Sequence, residues 1–342
     1  MNYKSKIQLN TPEELRQKYP LTQEGEELRR ERLSELRSIL AGDSDKFIII
    51  IGPCSADREK SVLDYAERLR KLSDEVKSRV FLIPRVYTSK PRTLGKGYKG
   101  LIHNPTPDGE QNMALGIDLA RRLHTRVVNE IGLTSAEEML YPEAYAYFSD
   151  LLGYTAIGAR STENQYYRLI ASSAETPVGF KNPTSGNIDD MLNAAEAAQM
   201  AGSFLYGGYA YSSDGNPYSH CILRGGHTAD GGNAPNYGYD SLVSVCEKYA
   251  CRSLKNPAIL IDANHSNSGK NHTLETPICL DVMESRRRNP DIRRLVKGVM
   301  VESYIESDCQ SPSGNTYGKS VTDPCIGWDE TERLIKDIAD MM

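Results

Sequence analysis

Cationic side chains follow several short apolar runs of this sequence, at positions where a charged residue is unusual. Apolar runs lead into Arg85, Arg160, Lys181 and Arg224, and the polar segment SKPRT holds Lys90 and Arg92. Guanidinium groups donate paired hydrogen bonds to phosphate and carboxylate oxygens, and an ammonium adds a point charge. A single arginine would most simply be a solvated or ion-paired surface residue. The repetition predicts one site that binds strongly anionic small molecules.

A second set of residues carries donor atoms that suit a metal ion. Its members lie on separate segments and comprise Cys54, His265, Glu302 and Asp323. A mixture of thiolate, imidazole and carboxylate favours a divalent transition ion, Mn²⁺, Fe²⁺, Co²⁺ or Zn²⁺, over Ca²⁺ or Mg²⁺. Taken alone, Cys54 also fits a buried thiol and His265 a hydrogen-bonded core histidine. Of the remaining histidines, only His227 is considered for the site.

The segments that carry these residues alternate between two patterns. Short β-branched runs are followed by amphipathic stretches, which is typical of successive βα units on a parallel sheet. The runs that fit strands are 46–53, 80–87, 134–140, 155–159, 177–182, 203–207, 258–263 and 297–303. Eight units in 342 residues favour a closed (β/α)₈ TIM barrel, whose active site is built at the carboxyl ends of the strands.

Two segments depart from this alternation. Residues 1–45 form a charged N-terminal extension, in which Leu33, Leu36 and Leu40 predict a helix that docks or makes oligomer contacts. The catalytic barrel is then predicted over 46–342. Residues 207–239 are rich in Gly, Tyr, Ser and Asn and contain ILRGGH. We predict a long functional insertion there, between the sixth and seventh strands, with a short hairpin in it.

The composition disfavours several classes of protein. The longest apolar run, residues 47–51, is far too short to span a membrane, and the first residues lack the apolar stretch of a secretory signal, so a cytoplasmic location is predicted. A net charge of -5 argues against binding of nucleic acid or anionic lipid. Seven cysteines without a CxxC pair argue against a disulfide framework and a zinc ribbon.

With these residues in view, the sequence resembles the class I 3-deoxy-D-arabino-heptulosonate 7-phosphate (DAHP) synthases of the microbial feedback-regulated type. The similar segments run from residue 47 to the end and include IGPCS, PRVYTSKPRT, GYKGLI, AIGARSTE, PVGFKNPTSG, ILRGG, GVMVES and YGKSVTDPCIGW. Several of these motifs are long and contain no generic phosphate-loop pattern, so the resemblance is specific.

The resemblance implies a reaction, a fold and an assembly. The reaction is the metal-dependent condensation of phosphoenolpyruvate with erythrose 4-phosphate and water, which gives DAHP and phosphate at the start of the shikimate pathway of aromatic amino-acid biosynthesis. The implied fold is a (β/α)₈ barrel, and the implied assembly is a homo-oligomer, dimer or tetramer. An aromatic amino-acid effector is left open, because residues 141–148 and 171–175 do not match the regulatory pocket of regulated relatives.

The resemblance also implies a role for individual residues. Phosphoenolpyruvate would contact Arg85, Gly158, Ala159, Arg160, Lys181 and Arg224. Erythrose 4-phosphate would contact Lys90, Pro91, Arg92, Thr93 and Asp323. One divalent metal ion would be bound by Cys54, His265, Glu302 and Asp323. Lys90 is the candidate proton donor near the aldehyde, and His265 is counted as catalytic with it.

Three other readings stay open at this point. A 3-deoxy-D-manno-octulosonate 8-phosphate synthase would use a longer aldose phosphate, but the Lys-Pro-Arg-Thr segment at 90–93 and the long N-terminal extension favour the four-carbon sugar. A related enzyme of secondary metabolism would share the same chemistry. A non-catalytic sugar-phosphate sensor would not need a complete set of metal ligands.

Overall fold

Eight parallel strands form one sheet in the computed structural model, which describes residues 4, 6–92 and 95–342. The strands are β1 (Phe47–Gly52), β2 (Val80–Pro84), β3 (Ala136–Glu138), β4 (Tyr154–Ile157), β5 (Val178–Lys181), β6 (His220–Leu223), β7 (Ile259–Asp262) and β8 (Val296–Glu302). Each strand from β3 to β8 pairs with the next, β8 pairs with β1, and β1 pairs with β2. A parallel bridge between Arg85 and Ala136 joins β2 to β3, so the sheet closes and the predicted (β/α)₈ barrel is confirmed.

Helices surround this sheet. Among the described residues the α-helices are α1 (Pro12–Lys18), α2 (Gln23–Ala41), α3 (Glu59–Val76), α4 (Met113–Arg126), α5 (Tyr145–Phe148), α6 (Gln165–Ser172), α7 (Ile188–Gln199), α8 (Tyr239–Ala250), α9 (His265–Ser268), α10 (Glu275–Arg288), α11 (Pro290–Leu295) and α12 (Trp328–Met341). Shorter turns are the π-helical Val127–Ile131 and the 3₁₀-helical Pro142–Ala144 and His272–Leu274. Within the described ranges no helix combines the length and the apolar character that a membrane crossing requires.

Three two-stranded ribbons lie outside the barrel sheet. Two are antiparallel, Gly202–Tyr206 with Tyr209–Ser213 and Gly226–His227 with Asn233–Ala234, and one is parallel, Glu306–Cys309 with Lys319–Ser320. The last of these ribbons follows β8, and the second lies in the loop between β6 and β7, where a short hairpin is predicted from the sequence.

The position predicted for the sixth barrel strand is wrong. Residues 203–207 belong to the antiparallel hairpin, and His220–Leu223 occupies the barrel position instead. All residues of β6 are buried, whereas Phe204 is the only buried residue in Gly202–Tyr206. Residues 207–239 are therefore not one insertion after the sixth strand, because they include half of this hairpin, β6 itself and the small ribbon that follows it.

Alternation along the strands divides the core into two layers. Ile48 and Ile50 of β1 point into the barrel with residues such as Tyr154 and Met300, while Ile49 and Ile51 face the surrounding helices. Successive side chains of a strand point to opposite faces, so continuous apolar runs are what a sheet covered on both faces requires.

Helix α2 closes the amino-terminal end of the barrel. Its Leu36, Ile39 and Leu40 are buried in the same cluster as the interior residues of the strands. Arg32 donates a 2.5 Å hydrogen bond to the carbonyl oxygen of Leu82, and its guanidinium lies 4.4 Å from the ring centre of Phe81. The predicted helix thus docks on its own barrel, and oligomer contacts through residues 1–45 stay a prediction.

A neutral histidine lies in the barrel interior. His220 is 1% exposed, its Nδ1 lies 2.9 Å from the carbonyl oxygen of Tyr218, and its Nε2 lies 2.8 Å from the hydroxyl oxygen of Tyr154. A carbonyl can only accept, so Nδ1 donates and Nε2 accepts from the tyrosine. Burial lowers the pKa of His220 to about 4, although the bond to Tyr218 opposes this shift.

The low pKa predicts that acid destabilises the fold through His220. Its pKa in the unfolded chain is about 6.5, so the unfolded state takes up more protons between that value and about 4. The contribution of His220 to the free energy of unfolding is present in full above the pKa of the unfolded chain. It is lost as the pH falls towards the pKa of the folded protein, and it amounts to about 3 kcal/mol. Urea unfolding of wild type and His220→Gln between pH 7 and 4.5 measures it.

The variant is expected to lose part of the pH dependence of the unfolding free energy. His227→Gln, at an exposed histidine, is the matched control and should retain the wild-type slope. Equal slopes for wild type and His220→Gln would contradict the assignment of a neutral His220.

Candidate functional site

A pocket of about 420 Å³ opens at the carboxyl ends of the barrel strands. All six predicted cations line it, namely Arg85, Lys90, Arg92, Arg160, Lys181 and Arg224. Pro91, Gly158, Ala159, His265 and Asp323 line it as well, and His227 lies at its edge. Thr93 lies outside the described residues. Residues separated by more than 200 positions in the chain therefore meet in one pocket.

Arg85 is buried at the site and forms an ion pair there. Its side chain is 1% exposed, and its Nη2 donates to Oε1 of Glu302 at 2.7 Å. The guanidinium also lies 3.9 Å from the ring centre of Tyr87. A Cβ at Gly52 would come within 2.6 Å of the Arg85 backbone, so glycine is needed where β1 ends. Nη1 of Arg85 has no hydrogen-bond partner among the described residues, which leaves one donor for a ligand.

Lys181 and Asp262 form a second buried pair at the ends of β5 and β7. Lys181 Nζ lies 3.1 Å from Asp262 Oδ2 and 3.6 Å from Glu138 Oε2. Burial favours the neutral acid of Asp262, but the charges of His265, Lys181 and Arg85 outweigh it and hold the pKa of Asp262 well below its usual range. The lysine ammonium is thus held in the pocket wall by carboxylates.

Arg224 and Arg160 supply guanidinium groups beside this pair. Arg224 is 6% exposed, and its Nε has no hydrogen-bond partner within the described part of the chain. Burial lowers the pKa of Arg224, and the nearby Arg160 adds to the shift while Asp262 opposes it. Arg160 is exposed at the rim. A Cβ at Gly158 would lie 2.7 Å from Oε1 of Glu138, so this carboxylate would have to shift if Gly158 carried a side chain.

Three of the four predicted metal ligands converge. Donor atoms of Cys54, Glu302 and Asp323 all lie within 4.8 Å of one another. Burial and the charge of Glu302 raise the pKa of the Cys54 thiol to about 12 while Lys90 opposes the shift, and Sγ donates to Asp323 Oδ2 at 3.6 Å.

The ammonium of Lys90 lies against this group of donor atoms. Its Nζ lies 2.7 Å from Cys54 Sγ and 3.2 Å from Asp323 Oδ2. Burial lowers the pKa of Lys90, but the charges of Cys54, Glu302 and Asp323 outweigh this effect and raise it above its ordinary value. The cluster therefore stabilises a cation already, and its sulfur and oxygen donors fit a divalent ion.

His265 does not join this cluster. It begins α9 with a backbone φ of 52°, in the left-handed region that residues other than glycine rarely adopt. Its Nδ1 lies 2.9 Å from Oδ2 of Asp262. A carboxylate at Nδ1 orients the ring and leaves Nε2 as the atom that is available to a ligand. Backbone strain of this kind is concentrated at functional sites.

Several residues of the site were not assigned a role from the sequence. Asp262 and Glu138 hold Lys181, Asn264 donates to Glu302 Oε2 at 2.6 Å, and Lys270 lies 3.1 Å from Asp323 Oδ1. Asp262 and Glu138 each end a barrel strand, which is the signal that could have identified them. Lys270 carries no such signal, because it lies five residues beyond His265 in an irregular segment.

Comparison with known proteins identifies the family of the chain. A family model described as the DAHP synthetase I family matches residues 17–336. The chain belongs to this family. The match includes every barrel strand and every predicted site residue.

Individual members of the DAHP synthetase I family are similar over nearly their whole length. The chain is 36% identical to the Trp-sensitive phospho-2-dehydro-3-deoxyheptonate aldolase of Escherichia coli, over 97% of this chain and 94% of that protein. The Tyr-sensitive protein of Escherichia coli is 37% identical, over 96% and 92%. A solved structure of phospho-2-dehydro-3-deoxyheptonate aldolase from Francisella tularensis superposes with a TM-score of 0.92 at 31% identity, and the match covers 99% of this chain and 98% of that one.

The buried charges predict an unequal cost for removing two acidic side chains. Asp262→Asn leaves Lys181 with only the more distant Glu138, so we expect the unfolding free energy to fall by about 3 kcal/mol. Asp189 also contacts two cations, Lys248 and Arg252, but its side chain is about half exposed, at 47%. Asp189→Asn is the matched control, with an expected loss below about 1 kcal/mol. Denaturant unfolding compares them, and equal losses would show that Asp262 does not stabilise the cation.

Proposed function

We propose that this chain condenses phosphoenolpyruvate with erythrose 4-phosphate and water to form DAHP and phosphate. The observation that carries the proposal is that six cations line one pocket together with Asp323 of the sulfur–oxygen donor cluster, and one of them, Lys90, contacts Cys54 of that cluster. The two substrates together carry about five negative charges, which would repel each other without such a lining. Membership of the DAHP synthetase I family supports the same reaction.

Phosphoenolpyruvate is assigned to the deeper part of the pocket. Its phosphate and carboxylate would contact Arg85, Gly158, Ala159, Arg160, Lys181 and Arg224. The buried donors without partners, Nη1 of Arg85 and Nε of Arg224, support this assignment, because a buried donor without an acceptor is costly unless a ligand satisfies it.

Erythrose 4-phosphate is assigned to the segment after β2. Lys90, Pro91, Arg92 and Asp323 line that side of the pocket, and Thr93 completes the assignment from the sequence. Arg92 is held by a 2.8 Å hydrogen bond from its Nε to the carbonyl oxygen of Tyr98. This bond leaves the two terminal nitrogens of the guanidinium for a phosphate group.

One divalent ion, Mn²⁺, Fe²⁺, Co²⁺ or Zn²⁺, is assigned to Cys54, Glu302 and Asp323, with His265 as the fourth ligand. His265 would bind through Nε2, because its Nδ1 faces Asp262, and its ring would have to approach the cluster. Bound there, the ion would supply Lewis-acid polarisation of the aldehyde oxygen of erythrose 4-phosphate. Cys54 would have to lose its proton on binding, so the buried thiol makes metal affinity dependent on pH.

The residues of the chain supply orientation and charge for the carbon–carbon bond. The cations hold C3 of phosphoenolpyruvate against the aldehyde carbon, which replaces a bimolecular encounter by a fixed approach. C3 attacks, the aldehyde oxygen gains the electron pair, and Lys90 donates a proton to it. Water then adds at C2, and phosphate leaves by cleavage of the bond between C2 and oxygen, with Arg160, Lys181 and Arg224 holding the departing charge.

Phosphate release with two aldoses tests the proposal. We expect release with phosphoenolpyruvate and erythrose 4-phosphate, at least ten times slower release with arabinose 5-phosphate, and loss of both on chelation with EDTA. Addition of Mn²⁺, Fe²⁺, Co²⁺ or Zn²⁺ should restore activity. Preference for arabinose 5-phosphate would support an octulosonate synthase instead, and no turnover with any metal would support a sensor.

Metal content provides a second measurement of the same proposal. Cys54→Ser should lower the affinity for the ion at least tenfold, because serine is a poor replacement for a thiolate ligand. Cys279→Ser is the matched control, since Cys279 is buried in α10 outside the donor cluster. Elemental analysis after equilibrium dialysis compares the two variants.

The proton-donor role of Lys90 is tested by Lys90→Met. Its removal is expected to lower kcat by about 100-fold or more, with phosphoenolpyruvate binding little changed, because general acid catalysis contributes on that scale. Lys96→Met is the matched control, since Lys96 is exposed in the same segment and is not assigned to either substrate. Near-wild-type turnover of Lys90→Met would overturn the role.

No contact in the structure supports a particular assembly or effector for this chain among the described residues. Two relatives are named Trp-sensitive and Tyr-sensitive, and those words describe those proteins. For this chain a homo-oligomer, an aromatic amino-acid effector and a cytoplasmic location stay predictions.

A further inference from the structure

A buried arginine lies at the opposite end of the barrel without a carboxylate partner. Arg286, in the last turn of α10, is 7% exposed. Its guanidinium lies 4.5 Å from the ring centre of Phe47, the first residue of β1. Within the described part of the chain its Nε has no hydrogen-bond partner, and its Nη1 contacts only the sulfur atoms of Met283 and Met342. Thioether sulfur is a weak acceptor, so this buried cation is poorly compensated.

Arg286 forms the base of a small pocket between the ends of three helices. The pocket has a volume of about 30 Å³ and is lined by Met283, Arg286, Arg287, Arg293, Met341 and Met342. Burial lowers the pKa of Arg286 to about 10, the charge of Arg293 adds to this shift, and Asp45 opposes it. Three arginine residues therefore line one concave space.

The acidic residues around this pocket do not neutralise it. Arg287 pairs with Glu284 at 2.9 Å, on the exposed side of α10. Arg293 has no carboxylate oxygen within 4.0 Å among residues 4, 6–92 and 95–342, and Arg286 has none either. Lys297 is another cation nearby. Burial lowers the pKa of Lys297, and the charge of Arg286 lowers it further.

Helix geometry alone does not account for this arrangement. Cations in the last turn of a helix are stabilised by its dipole, which is sufficient for exposed side chains such as Arg287. It does not explain why Arg286 keeps a polar nitrogen buried and unpaired beside another guanidinium, because both desolvation and repulsion oppose that state. An anion between Arg286 and Arg293 would relieve both costs.

We propose that the pocket between α10, α11 and α12 binds a phosphate group, with Arg286 at its base and Arg287 and Arg293 at its sides. Guanidinium forks match the oxygens of a tetrahedral oxyanion, and three arginine residues line this pocket. Methionine residues form the remaining wall, and none of the side chains in the lining is acidic. The phosphate group comes from free inorganic phosphate or from a phosphate monoester. This inference does not rest on the proposed reaction.

Calorimetric titration of inorganic phosphate at constant ionic strength tests the inference on the full chain. Wild type should bind phosphate in this pocket in addition to any binding at the carboxyl ends of the strands. Arg293→Gln should weaken the pocket's affinity at least tenfold while leaving binding at the other end unchanged. Arg293 is exposed, so this variant is expected to fold. Arg286→Gln should abolish binding in the pocket, and thermal unfolding verifies that the variant is folded.

Arg294→Gln is the matched control, because Arg294 is also exposed on α11 but does not line the pocket. It should retain wild-type phosphate binding. If Arg293→Gln and Arg294→Gln weakened the affinity for phosphate equally, the loss would be due to general surface charge, and the proposal would be overturned.

A parallel titration with glycerol 3-phosphate distinguishes the two sources of the phosphate group. Binding of the ester with at least the affinity of inorganic phosphate supports a monoester, and tighter binding of inorganic phosphate supports the free anion. Binding of neither to the pocket overturns the proposal. A crystal soaked in selenate supplies the location, and absence of selenate at Arg286 in wild type would contradict the assignment. Loss of this site with retained catalysis leaves the proposed function untouched.

Discussion

The ion pair between Arg85 and Glu302 is the interaction on which the rest of the site depends. Both side chains are 1% exposed, and their closest atoms are 2.7 Å apart. An unpaired charge at that depth would be strongly destabilising, so the two side chains stabilise each other. The pair places Glu302 beside Cys54 and Asp323, and among the described residues Nη1 of Arg85 keeps a donor for an anion. One pair therefore joins the donor cluster to the cationic pocket.

The same arrangement recurs around the barrel rim and explains how so many cations can share one pocket. Lys181 is held by Asp262 and Glu138, and Lys90 is held by Asp323. In the buried pairs the acid and the cation come from strand ends separated by one strand: β1 lies between Arg85 and Glu302, and β6 lies between Lys181 and Asp262. The carboxylates offset repulsion among the cations when no substrate is bound. The buried donors that have no partner among the described residues are then the positions where an anion would gain the most hydrogen-bond energy.

The sequence allowed the barrel and the six cations to be predicted because both depend on local patterns. Arg85, Arg160, Lys181 and Arg224 follow apolar runs, Lys90 and Arg92 lie in the polar segment SKPRT, and parallel strands bring their carboxyl ends together. The sixth strand was misplaced, since the apolar residues of 203–207 and of His220–Leu223 differ in burial only after the fold is formed. The roles of Asp262 and Glu138 depend on which strand ends become neighbours. The position of His265 outside the donor cluster depends on its backbone φ of 52°, which residue type does not dictate.

Buried cations have different hydrogen-bond partners at the two ends of the barrel. At the carboxyl end, Arg85 and Lys181 each have a carboxylate within hydrogen-bonding distance. At the amino end, Arg32 satisfies its guanidinium with the hydroxyl oxygen of Thr134 and the carbonyl oxygen of Leu82, since α2 closes that end with uncharged partners. Arg286 follows neither solution, because within residues 4, 6–92 and 95–342 it has no ion pair, and its guanidinium packs on an aromatic ring and donates to sulfur atoms. A buried cation that a fold leaves so poorly compensated has its missing partner in solution, and the geometry of three guanidinium groups makes that partner an oxyanion.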